Sequence, residues 1–171
     1  MAAIQIGTLA PEEWQLYKQI RLESLLTEPQ AFAVSFADAL QRPDSYWQER
    51  LIEAQAGVKS WLLFAKENGQ IIGMIGAYTA QESDVVEIIS VYVTKEKRAH
   101  GVASALMAAI LEEVSKGNAF RKAELIVNKG QTAAVALYGH FGFQIMGEIT
   151  GVMGDGISCP GYIMQKELAT L

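Results

Sequence analysis

The chain has 171 residues, half of them hydrophobic and about a fifth charged, with a formal net charge of −5. That length fits one domain with a single sizeable core, and the acidic balance argues against nonspecific nucleic-acid binding, which favours a basic surface. One cysteine, Cys159, excludes a disulfide framework within the chain, and with only two histidines beside it no metal site of Cys/His type is expected.

The longest apolar runs, residues 61–65 and 105–111, fall well short of the roughly 20 residues a membrane span needs. Residues 1–6 lack a basic stretch followed by an apolar core, so no secretory leader is expected and a cytoplasmic location fits. No repeat, low-complexity tract or linker interrupts the chain. Neither a membrane nor nucleic acid is expected as a partner; a homodimer is compatible with the composition.

In chain order, residues 4–9 read as an opening strand. Pro11 suits a first helical position, and Glu12 and Glu13 complement the helix dipole. That helix carries Trp14, Tyr17, Ile20, Leu22 and Leu25 and stops near Pro29. A second helix is predicted over 44–56, with Gly57 as its stop. Residues 61–66 and 71–79 read as two strands, and Asn68-Gly69 between them is a strong hairpin signal. Residues 85–93 are almost wholly β-branched or aromatic, as in a central strand buried on both faces. Gly101 opens a helix with Val102, Leu106, Ala109, Ile110 and Val114 on one face, and Gly117 caps its end. A strand over 123–127 precedes a helix that Thr132 can cap, bearing Ala134, Leu137, Tyr138 and Phe141 and ending at Gly142. Strands over 143–149 and 162–168 close the chain. The order predicts a mixed α/β single domain of about seven strands and four helices.

Between strand 85–93 and the helix at Gly101 lies a cationic turn: Lys95, Lys97 and Arg98, with only Glu96 against them. The first N–H groups of a helix have no partners within it, and the macrodipole adds partial positive charge there. Gly101 and Ala103 leave room for a bulky anion to approach the backbone, an arrangement suited to phosphate. A tight glycine turn with no ligand is the bland alternative. The chain has no Walker A motif and no G-x-G-x-x-G, which excludes the common phosphate-loop and dinucleotide arrangements at motif level.

Arg98-Ala99-His100-Gly101-Val102-Ala103 resembles the R/Q-x-x-G-x-G/A signature of the GNAT superfamily of N-acetyltransferases, preceded by that family's V-x-V strand end. Leu125, Val127, Ala134, Leu137-Tyr138 and Gly142-Phe143 are similar to its second region, with Gln131 where the family usually has asparagine. The resemblance implies one GNAT-like domain over 1–171, with acetyl-coenzyme A as co-substrate and no metal. It implies that the backbone of Val91, Tyr92 and Val93 pairs with the pantetheine chain like a neighbouring strand. The amides of Ala99, His100, Gly101, Val102, Ala103 and Ser104 would hold the pyrophosphate, with Arg98 nearby. Gln131 keeps the donor and acceptor of the family's asparagine on a longer arm, and Asn128 lies three residues too early for that role.

Amine attack on a thioester needs a neutral amine, a stabilised oxyanion and help for the departing thiolate. By the same resemblance, a backbone N–H at Val91 polarises the carbonyl. Glu87 stands eleven residues before Arg98, where several histone-type members carry a catalytic glutamate, and apolar neighbours suit a carboxylate acting as base. On a regular strand Glu87 and Val91 share a face about 13 Å apart, so a direct role needs a water relay or a bend. Tyr138 matches the tyrosine proposed to protonate the thiolate, although a tyrosine near 10 donates to a thiolate near 8.5 only uphill, by about 2 kcal/mol. Structural roles stand beside both: an acceptor-binding carboxylate and a core aromatic. His100 and His140 read as structural. The acceptor wall is expected from Phe32, Phe36 and Trp47 and from the glycine-rich segment 151–161. The expected acceptor is a primary amine of a small molecule. A protein N-terminus or lysine, and a sensor that binds acetyl-coenzyme A without turnover, are the alternatives.

Overall fold

In the computed structural model, Glu13 closes the first turn of the chain: its Oε2 accepts the Ala10 N–H at 2.8 Å, and a 3-10 turn over Pro11–Glu13 leads into α1 (Trp14–Thr27). The structure describes residues 3–82 and 84–169; the leader expectation falls partly on Met1 and Ala2, outside the described residues. Before α1 comes β1 (Gln5–Gly7), and after it a 3-10 turn over Pro29–Ala31, the short α2 (Phe36–Leu40) and α3 (Asp44–Ala56). Ser35 caps α2 by accepting the Asp38 N–H at 3.1 Å, which adds a fifth helix to the four expected from sequence. Gly57, with φ +60, ends α3 where its left-handed conformation was anticipated.

The strands β2 (Ser60–Glu67) and β3 (Gln70–Thr79) form the expected hairpin, with both turn residues, Asn68 and Gly69, at positive φ. Then follow β4 (Val85–Val93), α4 (Val102–Ser115), β5 (Lys122–Asn128), α5 (Thr132–His140), β6 (Gln144–Val152) and β7 (Ser158–Glu167). Gln131, rather than Thr132, holds the cap position of α5. The seven strands lie in the order β1-β2-β3-β4-β5-β7-β6, antiparallel throughout except where β4 meets β5. None of the described helices is long and apolar enough to cross a membrane.

Apolar side chains cover the two faces of the sheet unequally. On one face Val86, Ile88 and Val93 of β4 pack against Leu106, Met107 and Ile110 of α4. On the other, Leu62, Phe64, Met74 and Tyr92 pack against Tyr17, Leu25, Trp47 and Leu51 of α1 and α3. Trp47 is 1% exposed and meets Tyr17 edge to face at 5.2 Å, while Phe36 packs beside the same cluster. Both serve the core, which corrects their assignment to the acceptor wall.

β4 is central, yet it is not the uniformly buried strand its composition implies: Glu87, Ile89, Ser90 and Val91 are only half-buried. Its regularity breaks at a bulge. Gly76 pairs with Ile89 and Met74 with Tyr92, so Ile75 alone faces Ser90 and Val91. Ser90 takes φ +56, a conformation few non-glycine residues adopt. One extra residue reverses the alternation of a strand. Even positions Val86 and Ile88 face α4 before the bulge, whereas odd positions Val91 and Val93 do so after it. Glu87 and Val91 therefore lie on opposite faces, not on the same one.

Candidate active site

β4 and β5 pair through only three registers: Val85 with Lys122, Val86 with Ala123 and Glu87 with Glu124. Past Glu87 the parallel strands diverge, and β5 continues its ladder with β7 on its far side. The edge of β4 from Ile88 to Val93 thus opens onto a cleft of about 1100 Å³. Leu125 to Asn128 form its opposite wall, and Tyr138 and the start of α4 also border it. Unpaired strand edges present their N–H and C=O groups as a template for another extended chain.

At one end of the cleft the cationic turn aims the start of α4 into the opening. Ala99 (φ +61) and Gly101 (φ +81) both adopt left-handed backbone, and no side chain caps α4. The first helical bond runs from Ala105 N to Gly101 O at 3.0 Å, and no described side chain engages the preceding amides. A Cβ built on Gly101 would meet nothing within 4 Å, so the approach to the backbone is open. Arg98 is drawn inward: Nε donates to Val93 O at 3.1 Å and Nη2 pairs with Glu28 at 2.7 Å, tying the turn to the end of α1. Lys97 pairs with Glu67. His100 is exposed, its ring nitrogen Nδ1 lying 2.7 Å from Arg98 O, while His140 packs edge-on against Phe141.

Where the two strands part, Glu87 accepts a hydrogen bond from the hydroxyl of Tyr78, its register partner on β3. Burial, and then the bond to Glu87, push the Tyr78 hydroxyl up to about 12. Tyr138 on α5 is buried with its ring 6.2 Å from that of Phe143, and burial alone pushes its hydroxyl up to about 12. Tyr92 turns its side chain away from the cleft: its hydroxyl donates to Glu23 at 2.8 Å and lies 3.1 Å from Thr27 Oγ1. Only its backbone remains for a ligand.

A strap crosses the cleft. Asn128 Nδ2 donates to Gln30 O at 3.2 Å while its Oδ1 accepts Gly130 N–H at 2.8 Å, so both ends of that amide are engaged. Gln131 lines the cleft. Across the opening, Gly154 N–H donates to Phe32 O at 2.7 Å, and a Cβ on Gly154 would sit 2.6 Å from Val34 O. Segment 29–34 is thereby pinned to the β6–β7 hairpin. Phe32, Ile126, Ile149, Met153 and Cys159 line the cleft, so the glycine-rich segment does supply wall residues, as does Phe32.

The model of the Acetyltransferase (GNAT) family matches residues 20–143, well over half of the chain. The chain belongs to the GNAT acetyltransferase family. No curated protein matches its sequence. Among solved structures, a GNAT-family acetyltransferase from Streptococcus pneumoniae superposes with a TM-score of 0.82 at 19% identity, over 96% of this chain and 99% of that one. The yncA protein of Salmonella typhimurium, solved with its cofactor acetyl-CoA, gives 0.82 at 17% identity, over 99% and 96%. The PaiA N-acetyltransferase of Thermoplasma acidophilum, in complex with coenzyme A, gives 0.72 at 16%, over 96% and 99%. These likenesses establish the GNAT fold.

Within this GNAT fold, the cleft residues that escaped the sequence reading include Tyr78, Arg21 and Glu28. Tyr78 had a signal. Ala80 N–H bonds Val85 O, and counting outward from that pair along the two β-rich runs sets Tyr78 opposite Glu87. Arg21 lies on α1 and Glu28 caps its end, and both reach the cleft only through tertiary packing.

Proposed function

We propose that this GNAT protein transfers an acetyl group from acetyl-coenzyme A to a primary amine of a small molecule, by direct attack in a ternary complex. The divergence of β4 from β5 carries the reading, because it leaves a strand edge open beside an uncapped helix start. A pantetheine arm is an amide-bearing extended chain, and it fits the edge of Val91 and Val93. A pyrophosphate fits the amides from Ala99 to Ser104, where two left-handed residues and the helix dipole gather N–H groups. Arg98 braces that turn through Val93 O and Glu28. The acetyl-CoA and coenzyme A in the two relatives lend support by analogy of fold.

At the bulge the Val91 N–H is the donor for the thioester carbonyl, as an oxyanion develops there. Glu87 takes a proton from the acceptor ammonium, held in place by Tyr78, which stays protonated at neutral pH. Because Glu87 and Val91 face opposite sides of β4, that proton transfer runs through water rather than by direct contact at the carbonyl. Tyr138 remains a donor at any ordinary pH. Its displacement to about 12 makes full proton transfer to a thiolate near 8.5 uphill by about 5 kcal/mol, unless the same burial penalises the thiolate. Donation of a hydrogen bond to the leaving sulfur is the role its burial favours. The strap over residues 29–34 narrows the acceptor end, which suits a small molecule better than a lysine presented on a folded protein.

Release of free coenzyme A thiol from acetyl-CoA, measured against a panel of amines, amino acids and peptides, tests the reading. Acceptor-dependent release with small amines is the expected result. Binding of acetyl-CoA without release for any acceptor would instead identify a sensor, and release confined to peptides would identify a protein acetyltransferase.

A further inference from the structure

Among the described cleft residues the reaction scheme leaves two cations unused, Lys97, which pairs with Glu67, and Arg21. Arg21 projects from α1 into the cleft wall, with its guanidinium carbon 4.7 Å from the centre of the Phe32 ring. Nη1 is enclosed and has no hydrogen-bond partner among the described residues. Among the described residues, no carboxylate pairs with it: the charged and hydroxyl groups that act on it are Tyr17, Tyr46 and Arg50. Arg50 spends Nη1 on Glu53 at 3.2 Å, while its own enclosed Nε lacks a partner. The two carboxylates on the cleft wall are both engaged elsewhere, Glu28 with Arg98 and Glu87 with Tyr78.

Position along α1 separates this cation from the phosphate end. Glu28, the residue that follows α1, pairs with Arg98 and marks where the helix meets the cationic turn, and Arg21 lies about two turns earlier, roughly 10 Å away along the axis. Its stacking partner Phe32 is the residue whose carbonyl pins the strap to Gly154. Arg21 thus belongs to the strapped, acceptor end. Withdrawing a guanidinium from water without an anion is costly, and the flat fork of an arginine fits a carboxylate through two parallel hydrogen bonds.

We infer that the acceptor is a small molecule carrying a carboxylate as well as its amine, an amino-acid-class substrate, whose carboxylate is held by Arg21. Apolar Ile126 and Ile149 beside Gly161 offer a surface for its side chain. This inference rests on the acetyltransferase reading of the same cleft and narrows its acceptor. It separates free amino acids from protein N-termini, which carry an amine but no adjacent carboxylate.

The experiment compares each of the twenty amino acids with its amide, which keeps amine and side chain and loses the anion, and phosphoethanolamine with ethanolamine. Acetyl transfer is measured for the wild type, Arg21→Gln and Arg21→Lys. Binding of the same compounds in the presence of coenzyme A is measured by calorimetry, independently of turnover. The amides have amines nearer 8, like a chain N-terminus, so a greater neutral fraction works against the expected preference. We expect at least one amino acid to exceed its amide by about 30-fold or more in kcat/KM. Arg21→Gln should erase that preference mainly through KM, and Arg21→Lys should restore part of it. Equal use of acid and amide, a preference for amides or for the phosphate compound alone, or an equal loss on all acceptors in Arg21→Gln would overturn the inference. If no amine is acetylated, the acetyltransferase reading fails separately. The calorimetry then decides the carboxylate site, which falls if no amino acid binds or if binding ignores Arg21→Gln.

Discussion

Tyr138 has lost most of its contact with water, and that alone carries its hydroxyl from 10 to about 12. Below pH 10 the folded and unfolded chains both keep this proton. Between about 10 and 12 only the unfolded chain releases it, so stability present at neutral pH is lost across that window. The melting temperature should fall between pH 10 and 12, and Tyr138→Phe should blunt the fall by up to about 3 kcal/mol at its upper end. Identical alkaline limbs in the two proteins would contradict the burial account. The Glu87–Tyr78 pair makes a kinetic prediction. Glu87→Gln should lower the acetyl-transfer rate by about 10²-fold, while Tyr78→Phe, which keeps the ring and loses only the donor, should cost less and alter the acid limb of the pH–rate profile. Rates near normal in both would mean that orientation of a neutral amine beside the thioester suffices, as proximity alone can supply several kcal/mol.

Two glycines carry the predictions at the level of whole elements. At the start of α4, the Cβ of Gly101→Asp meets no described atom within 4 Å, so the cost of that atom to the fold is the left-handed backbone, about 1–2 kcal/mol. The carboxylate adds negative charge at the helix start proposed to hold the pyrophosphate. A folded mutant with acetyl-CoA binding lost by calorimetry is expected; unchanged affinity would remove the turn from the site. In the β6–β7 hairpin the situation reverses. Gly154→Ala would force a methyl to within 2.6 Å of Val34 O, so the hairpin or the strap must move. The acceptor KM should rise several-fold while acetyl-CoA affinity stays as it was. A matched loss of both would mean that the strap serves the whole cleft rather than its acceptor end.

For the molecule as a whole, the tight turn into α4 was legible because glycine marks left-handed backbone positions in sequence, as Gly101 does here. The strands and most helix ends were legible for related reasons: Asn68-Gly69 and Gly57 punctuate them, and the β-branched run of β4 declares a central strand. Other features left no local trace. The bulge at Ser90 forces a positive φ on a residue that carries no turn signature, and it reversed the expected relation between Glu87 and Val91. Trp47 and Phe36 were assigned to the acceptor wall because aromatic residues suit both a core and a pocket; only packing separates the two. Arg21 and the strap arise from contacts between distant segments, Phe32 with Gly154 and Gln30 with Asn128. The central claim joins these parts: acetyl-coenzyme A lies between β4 and β5 and gives its acetyl group to an amine at the strapped end. Mass spectrometry of the products tests it most directly. The account predicts one acetylated amine for each coenzyme A thiol released, with nitrogen bearing the acetyl group. Thiol release without an acetylated amine, or an acetyl group retained on the protein itself, would contradict it.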